Sequence, residues 1–200
     1  MQTPTSSVPI LRAIHDLCLR MLPADHGGDP GGAMRELCSR LRLLDLTEIV
    51  EHTRKQGANS VAAQRKSTDY ARFEIRSDAR ASLVLICWLP GHFSLPHDHG
   101  GSTCIVGVIE GVASEHRYEI DGREHAHLVE SDRFSPGSIT RCDGSDVHAL
   151  GNDARNHDPL LTLHLYEPSP TMRTYHVAPA RSQDDAIRSV LRENPHAFFI

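Results

Sequence analysis

The sequence lacks the features that mark membrane, exported and nucleic-acid-binding proteins. Its 200 residues contain no run of roughly 20 apolar residues, the length that a membrane-spanning helix needs. Residues 1–22 do not open with a basic segment, and charged side chains interrupt their apolar positions, so we expect no signal peptide. The formal net charge is -5 without a long run of lysine or arginine, which argues against nucleic acid or an anionic membrane as a partner.

The cysteines argue against a disulfide framework. Only five are present, an odd number, and none has the Cys-x-x-Cys spacing of a zinc or redox motif. This pattern is typical of reduced thiols in a reducing compartment. We therefore expect a cytoplasmic protein that acts on a small molecule or binds another protein.

Helical periodicity is concentrated in the first 60 residues. Three helices are predicted there, over 8–22, from near Ala33 through Leu44, and from Asp45 or Thr47 to Gly57. We interpret them as a cap on one face of a sheet and see no chemistry in them. A fourth helix is predicted over 182–193, in the tail.

From about Asp69, short segments rich in Val, Ile, Leu and Tyr alternate with Gly, Pro, Asp and Asn. Strands are predicted near 70–76, 82–88, 103–110, 113–119, 125–130, 138–141, 147–151, 160–166 and 173–177. Many short strands at this spacing indicate an antiparallel sandwich or barrel, so the fold class is mainly β with N-terminal α-helices. We expect one domain over 1–200: a helical cap at 1–60, a β-barrel at 69–180 and a C-terminal tail at 181–200.

Histidine is abundant, with 14 in the chain, and imidazole is the commonest metal ligand in proteins. Residues i and i+2 of a strand point to the same face, so His97 and His99 can present two imidazoles side by side. His148 follows the Pro136-Gly137 turn by the length of one short hairpin and is the best candidate for a third ligand. The sequence therefore predicts a metal site of His97, His99 and His148.

A His-x-His pair in a histidine-rich protein is more often incidental than a pair of ligands. His125 and His127 form a second such pair, directly after the Asp121-Gly122 turn and without flanking glycines. Side chains next to such a turn are usually solvated, so we interpret this second pair as a surface feature.

The frame around the first pair resembles a known superfamily. Gly91, five residues, His97-x-His99, four residues, Cys104, six residues and Gly111 match the first cupin motif, except that Cys104 replaces the usual glutamate. Parts of the second motif are matched by Pro136-Gly137 and His148-x-x-x-Asn152.

Without that carboxylate, the site is a neutral three-histidine site that looks like the thiol dioxygenase branch of the cupins. The chain is similar to the cysteine dioxygenase family in Tyr70-Ala71-Arg72, Ile86-Cys87-Trp88, the PHDHG segment, Cys104 and Leu163-His164-Leu165-Tyr166. The resemblance implies a cupin-type antiparallel β-barrel or sandwich with Fe(II) as cofactor. It implies a small-molecule thiol, cysteine, and O₂ as reactants giving a sulfinic acid, and we expect a monomer.

The resemblance also implies roles for the polar face of 161–166. Thr162, His164 and Tyr166 would form a hydrogen-bonded row aimed at the iron, with Tyr166 donating to bound oxygen or thiolate. Alternation alone is also typical of a surface strand with a wet outer face. The interior of a barrel, however, can be the polar ligand cavity.

The resemblance implies that Arg72 anchors the carboxylate of cysteine, helped by Tyr70, and that Cys104 forms a thioether crosslink to Tyr166. From residue type alone, a strand arginine such as Arg72 is more often a solvated edge residue, and a cysteine such as Cys104 is commonly an ordinary buried one. Relatives that prefer 3-mercaptopropionate tend to carry glutamine at the position of Arg72. Some relatives have histidine where this chain has Thr103.

Two alternatives stay open from the sequence. One is a dioxygenase for another small thiol carboxylate such as 3-mercaptopropionate. The other is a non-catalytic metal-binding cupin, or a metal-dependent isomerase that uses a different ion.

Overall fold

The computed structural model describes residues 8–22, 29–60 and 70–177, with the side chains of 57–60 left out. The helices in these ranges are α1 (Pro9–Met21), α2 (Pro30–Leu41) and α3 (Thr47–Ser60). The strands are β1 (Ala71–Ser77), β2 (Ser82–Trp88), β3 (His97–Asp98), β4 (Thr103–Glu110), β5 (Ala113–Ile120), β6 (His125–Phe134), β7 (Ile139–Cys142), β8 (Val147–Gly151), β9 (Leu160–Glu167), β10 (Arg173–Thr174) and β11 (His176–Val177). Within the described ranges, no helix has both the length and the apolar content needed to cross a bilayer.

The strands form two sheets. One has the order β1-β2-β9-β4-β7 and the other β10-β3-β8-β5-β6-β11, and the pairings are antiparallel except that of β11 with β6. Apolar side chains from both sheets pack together between them, among them Val84, Val106 and Leu150. The predicted fold class, a mainly β antiparallel barrel or sandwich with N-terminal α-helices, is confirmed.

The helices cover the outer face of the five-stranded sheet. Alternate residues of β9 point outward, and Leu161, Leu163 and Leu165 share one buried cluster with apolar side chains of α1 and α2. Helix α1 contributes Leu11 and Ile14, whose three-residue spacing places them on one helical face. The prediction that the helices cap one sheet face is therefore correct.

Several predicted boundaries differ from the structure. Helix α2 begins at Pro30 rather than near Ala33, because the Asp29 side chain accepts a 2.9 Å hydrogen bond from the Gly32 amide and caps the helix. The same helix ends before Leu44, and α3 continues through Gly57 to Ser60. The helix predicted over 182–193 lies outside the described residues.

The strands follow the prediction closely, with three differences. Strand β6 extends to Phe134, beyond the predicted 125–130. The predicted strand 173–177 is interrupted at Tyr175, whose hydroxyl donates to Asp98 Oδ2 over 2.6 Å. A two-residue strand, β3, was not predicted, and it ends one residue before His99.

Gly91 and Gly111, which frame the first histidine pair, both adopt positive φ, +85° and +76°. Residues other than glycine rarely adopt this conformation. At Gly111 an added Cβ would also lie 2.5 Å from the Pro159 carbonyl oxygen. The two motif glycines are therefore required by the turns that hold the histidine segment.

Candidate metal centre

Three histidines converge between the two sheets. His97 on β3 is the register partner of His148 on β8, and His99 follows β3 directly. One ring nitrogen from each lies within 4.8 Å of the others, and all three side chains are buried. The Nε2 atoms of His99 and His148 are only 3.3 Å apart. The structure thus brings together all three residues of the predicted metal site.

Hydrogen bonds on the far side of two rings leave Nε2 free to bind a metal. His97 Nδ1–H donates to the Leu95 carbonyl oxygen over 2.8 Å, and a carbonyl can only accept. His148 Nδ1–H donates to Glu115 Oε1 over 2.6 Å. Fixing a ligating histidine by a partner on its second nitrogen is the usual arrangement in metal sites.

The imidazoles of His97 and His99 are held in the neutral form that binds metals. Burial, together with the positive charge that His148 carries when protonated, lowers the pKa of His97 to about 4 and that of His99 to about 3. No carboxylate belongs to the group of His97, His99 and His148. Three neutral imidazoles fit a divalent transition ion such as iron, zinc, copper or nickel, and they alone do not select among these.

The polar face of β9 points inward, next to the histidines. Thr162 Oγ1 lies 2.8 Å from His164 Nε2, and His164 Nδ1 lies 3.2 Å from the Tyr166 hydroxyl. The Tyr166 ring packs edge-on against His99, with ring centroids 5.3 Å apart. The alternation of this strand is therefore that of a barrel interior, and the surface-strand alternative is wrong.

The first hydrogen bond of this row has a fixed direction. Trp88 Nε1–H, which can only donate, gives a 2.8 Å hydrogen bond to Thr162 Oγ1. In the tautomer with Nδ1 protonated, His164 accepts from the Thr162 hydroxyl at Nε2 and donates from Nδ1 to the oxygen of Tyr166. Burial raises the pKa of Tyr166 and lowers that of His164, so the phenol keeps its proton and the imidazole is neutral. The Tyr166 hydroxyl is also within hydrogen-bonding reach of the Cys104 thiol on the neighbouring strand.

Cys104 lies between two neighbouring strands at the back of the site. It is the register partner of Tyr166 on β9 and of Cys142 on β7, and it is fully buried. Burial raises the pKa of the Cys104 thiol, so the group is uncharged at neutral pH. The proximity of Cys104 and Tyr166 is the geometry that a thioether crosslink would need.

A cavity of about 410 Å³ opens beside the histidines. Its lining is Tyr70, Arg72, Ile86, Trp88, Ser94, Leu95, His97, His148, Leu150, His164, Tyr166, Met172 and Thr174. Histidines aside, Arg72 is the only one of these residues with a formal charge. The Tyr70 ring packs against that of Trp88 at a tilt of 38°, with ring centroids 4.2 Å apart. A cavity with one cation and no carboxylate among its described lining favours an anionic ligand.

The second histidine pair lies elsewhere. His127 Nε2 and His125 Nδ1 are 3.0 and 3.6 Å from the same oxygen of Asp121, in the turn between β5 and β6, and all three side chains are partly exposed. They do not belong to the buried three-histidine group.

Two polar residues of the site were not predicted. Glu115, whose carboxylate contacts His148, is 1% exposed on β5. Glu115 lies two residues after Ala113 on a predicted strand, so the two side chains are expected on the same face. That spacing was the sequence indication that Glu115 is buried. Asn152, noted only as a motif residue, donates from Nδ2 to the carbonyl oxygens of Trp88 and Asp158 and so fixes the end of β2.

An antiparallel double-sheet barrel with three converging histidines on its inner side defines a metal-site cupin. The family model described as cysteine dioxygenase type I matches residues 47–178, more than half of the chain. The chain therefore belongs to the cysteine dioxygenase type I family.

Curated relatives are similar at low identity. Cysteine dioxygenase type 1 of Rattus norvegicus is 24% identical over 97 residues, and that of Homo sapiens is 27% identical over 98. Each match covers 46% of this chain and 48% of the relative. The matched region thus spans about half the length of these relatives.

Similar solved structures include a double-stranded β-helix protein from Klebsiella pneumoniae. It has a TM-score of 0.46 and 16% identity, over 57% of this chain and 85% of that one. Another is TT1209 from Thermus thermophilus, with a TM-score of 0.42 and 21% identity, over 56% and 95% of the two chains.

Proposed function

We propose that the protein is an iron-dependent thiol dioxygenase that converts L-cysteine and O₂ to cysteine sulfinic acid. The observation that carries this proposal is that two members of the three-histidine group, His97 and His148, line one cavity together with Tyr166 and Arg72. Membership of the cysteine dioxygenase type I family supports it. The reaction needs no other reactant, because both oxygen atoms of O₂ end on sulfur. The thiol is the only electron donor and O₂ the only oxidant.

Fe(II) bound by the three imidazoles would lower the pKa of the substrate thiol, so that the thiolate forms at neutral pH, and would hold sulfur and O₂ next to each other. The protein supplies orientation. Arg72 offers a planar fork that pairs with a carboxylate through two charge-assisted hydrogen bonds. Tyr70, whose ring packs against Trp88 at the same cavity, would help to hold that carboxylate.

Tyr166 is the proton donor of the proposed site. In the row that begins at Trp88 and runs through Thr162, the phenol oxygen would accept from His164 Nδ1–H, and its own O–H would turn to the ligand. A donor fixed in this way stabilises negative charge that develops on oxygen or sulfur without reorganising.

The experiment that tests the proposal is anaerobic loading with Fe(II), followed by oxygen uptake with a panel of thiols. We expect cysteine to be consumed with one sulfinate formed per O₂, measured by mass spectrometry, and zinc-loaded protein to be inactive. Iron-loaded protein that takes up no oxygen with any thiol would contradict the proposal and favour a non-catalytic metal-binding cupin.

A second candidate is a dioxygenase for a thiol carboxylate without an amino group, such as 3-mercaptopropionate. The observation that favours it is that none of the described residues lining the cavity is acidic, so no side-chain carboxylate is there to receive a substrate ammonium group. The same panel decides between the two, since each predicts which thiol has the higher kcat/KM.

We also propose a thioether crosslink between Cys104 and Tyr166. One S–C bond to a ring carbon would form, and two hydrogen atoms would be removed by O₂, the oxidant of the proposed reaction. Intact mass spectrometry after turnover is expected to show a species lighter by two hydrogen atoms, absent from the Cys104→Ser variant. If turnover leaves only the unmodified mass, the crosslink is wrong, while the dioxygenase proposal is unaffected.

A further inference from the structure

A buried carboxylate lies directly behind one of the metal-site histidines. Glu115 is on β5 and His148 on the neighbouring strand β8, where Arg117 is the register partner of His148. Glu115 Oε1 is 2.6 Å from His148 Nδ1, and both side chains are almost completely buried. Burying a charged carboxylate costs free energy of folding unless it is paired and hydrogen-bonded. A functional role beside His148 would explain why this carboxylate is buried.

Three groups contact the Glu115 carboxylate: His148, the Cys142 thiol and the Arg117 guanidinium. Cys142 Sγ–H donates to Oε1 over 3.3 Å, and Arg117 Nη2 is 3.6 Å from Oε2. Arg117 is partly exposed and lies on the same face of β5 as Glu115, so a cation that reaches solvent pairs with the buried carboxylate.

We propose that Glu115 is a positioning residue that holds His148 with Nδ1 protonated and Nε2 facing the metal. Its negative charge, which acts through His148 rather than on the metal directly, takes the place of the glutamate ligand that the first cupin motif usually has where this chain has Cys104. The inference rests on the proposed function only in requiring that a metal binds the three histidines. A carboxylate acceptor on Nδ1–H fixes the tautomer and makes Nε2 a stronger donor. Its charge also stabilises the more highly charged state of a redox-active ion.

A different use of the same residues is a second metal site. Glu115, Cys142 and His148 each offer a ligand atom within 4.8 Å of the others. The 2.6 Å separation of Oε1 and Nδ1 is that of a charge-assisted hydrogen bond, and the Arg117 guanidinium would repel an added cation. These contacts favour a hydrogen bond between Glu115 and His148 over a second metal site. A second metal ion bound per chain would be detected by the test.

The test compares Glu115→Gln with Glu119→Gln, which removes an exposed carboxylate from the same strand. Zinc affinity is measured by competition with a chelator. We expect Glu115→Gln to bind zinc about 10- to 100-fold more weakly than the native protein and Glu119→Gln to match it. The Fe(III)/Fe(II) midpoint potential should become more positive in Glu115→Gln alone, a change that a merely structural residue would not produce.

A measurement on the native protein covers the case in which Glu115→Gln does not fold. In the ¹⁵N NMR spectrum of zinc-loaded protein, we expect His148 to show a protonated Nδ1 and a metal-bound Nε2. A metal-bound Nδ1, two zinc ions per chain, or equal affinity and potential in the two variants would overturn the inference. None of these readouts uses a thiol or O₂, so failure of the proposed oxidation would be seen separately.

Discussion

Replacing His148 with alanine is expected to abolish stable iron binding, and thiol oxidation with it. The side chain supplies one of only three nitrogens, and removing its ring also leaves the buried Glu115 carboxylate without its hydrogen-bond partner. Removing a residue that hydrogen-bonds to a ligating histidine typically weakens metal binding by about 10- to 100-fold. Removing the ligand itself should weaken binding by more than this. Iron content after anaerobic loading and desalting measures the effect.

The control is His127→Ala, which removes a partly exposed histidine paired with Asp121. This variant should retain as much iron as the native protein. Thermal unfolding of both variants shows whether His148→Ala still folds. Full iron occupancy in folded His148→Ala would show that His148 is not a ligand, and iron loss in His127→Ala would show that the second pair was misjudged.

Replacing Arg72 with glutamine is expected to lower kcat/KM for cysteine by about 10-fold or more. A hydrogen bond to a charged partner contributes about 1.5–3 kcal/mol, and about 1.4 kcal/mol is a factor of ten. Because the Arg72 side chain is exposed to solvent, we expect the lower end of that range. For a thiol without a carboxylate, such as cysteamine, kcat/KM should fall much less. The measurement is therefore the ratio of kcat/KM for cysteine to kcat/KM for cysteamine.

Arg76→Gln is a suitable control, because Arg76 lies on the same strand but contacts the Leu22 carbonyl and Asp78 rather than the cavity. The cysteine-to-cysteamine ratio should be unchanged in this variant. If Arg72→Gln lowers turnover of cysteine and cysteamine equally, Arg72 does not bind the carboxylate.

The parts of the molecule that were predictable are those set by local pattern. Alternation over 161–166 specified a strand with one apolar and one polar face, and the structure places Leu163 against the helices and His164 in the interior. The His-x-His spacing gave two candidate pairs among 14 histidines, and the motif around His97 and His99 favoured that pair, which the structure brings together with His148.

What could not be predicted depends on how distant segments meet. Nothing local pairs His97 with His148 across β3 and β8; that register is decided by the packing of both sheets. Glu115 resembles any strand carboxylate until β8 brings Nδ1 of His148 to it. The start of α2 was missed because the prediction relied on apolar spacing, whereas the Asp29 cap and Pro30 set the first turn.

The most direct test of the account is a crystal structure of iron-loaded protein with anomalous diffraction at the iron edge. The account predicts one ion per chain, at about 2.1 Å from one nitrogen of each of His97, His99 and His148, the usual metal–imidazole distance, with no carboxylate bound. Iron held by Glu115 or another carboxylate, or fewer than three of these histidines on the ion, would contradict it.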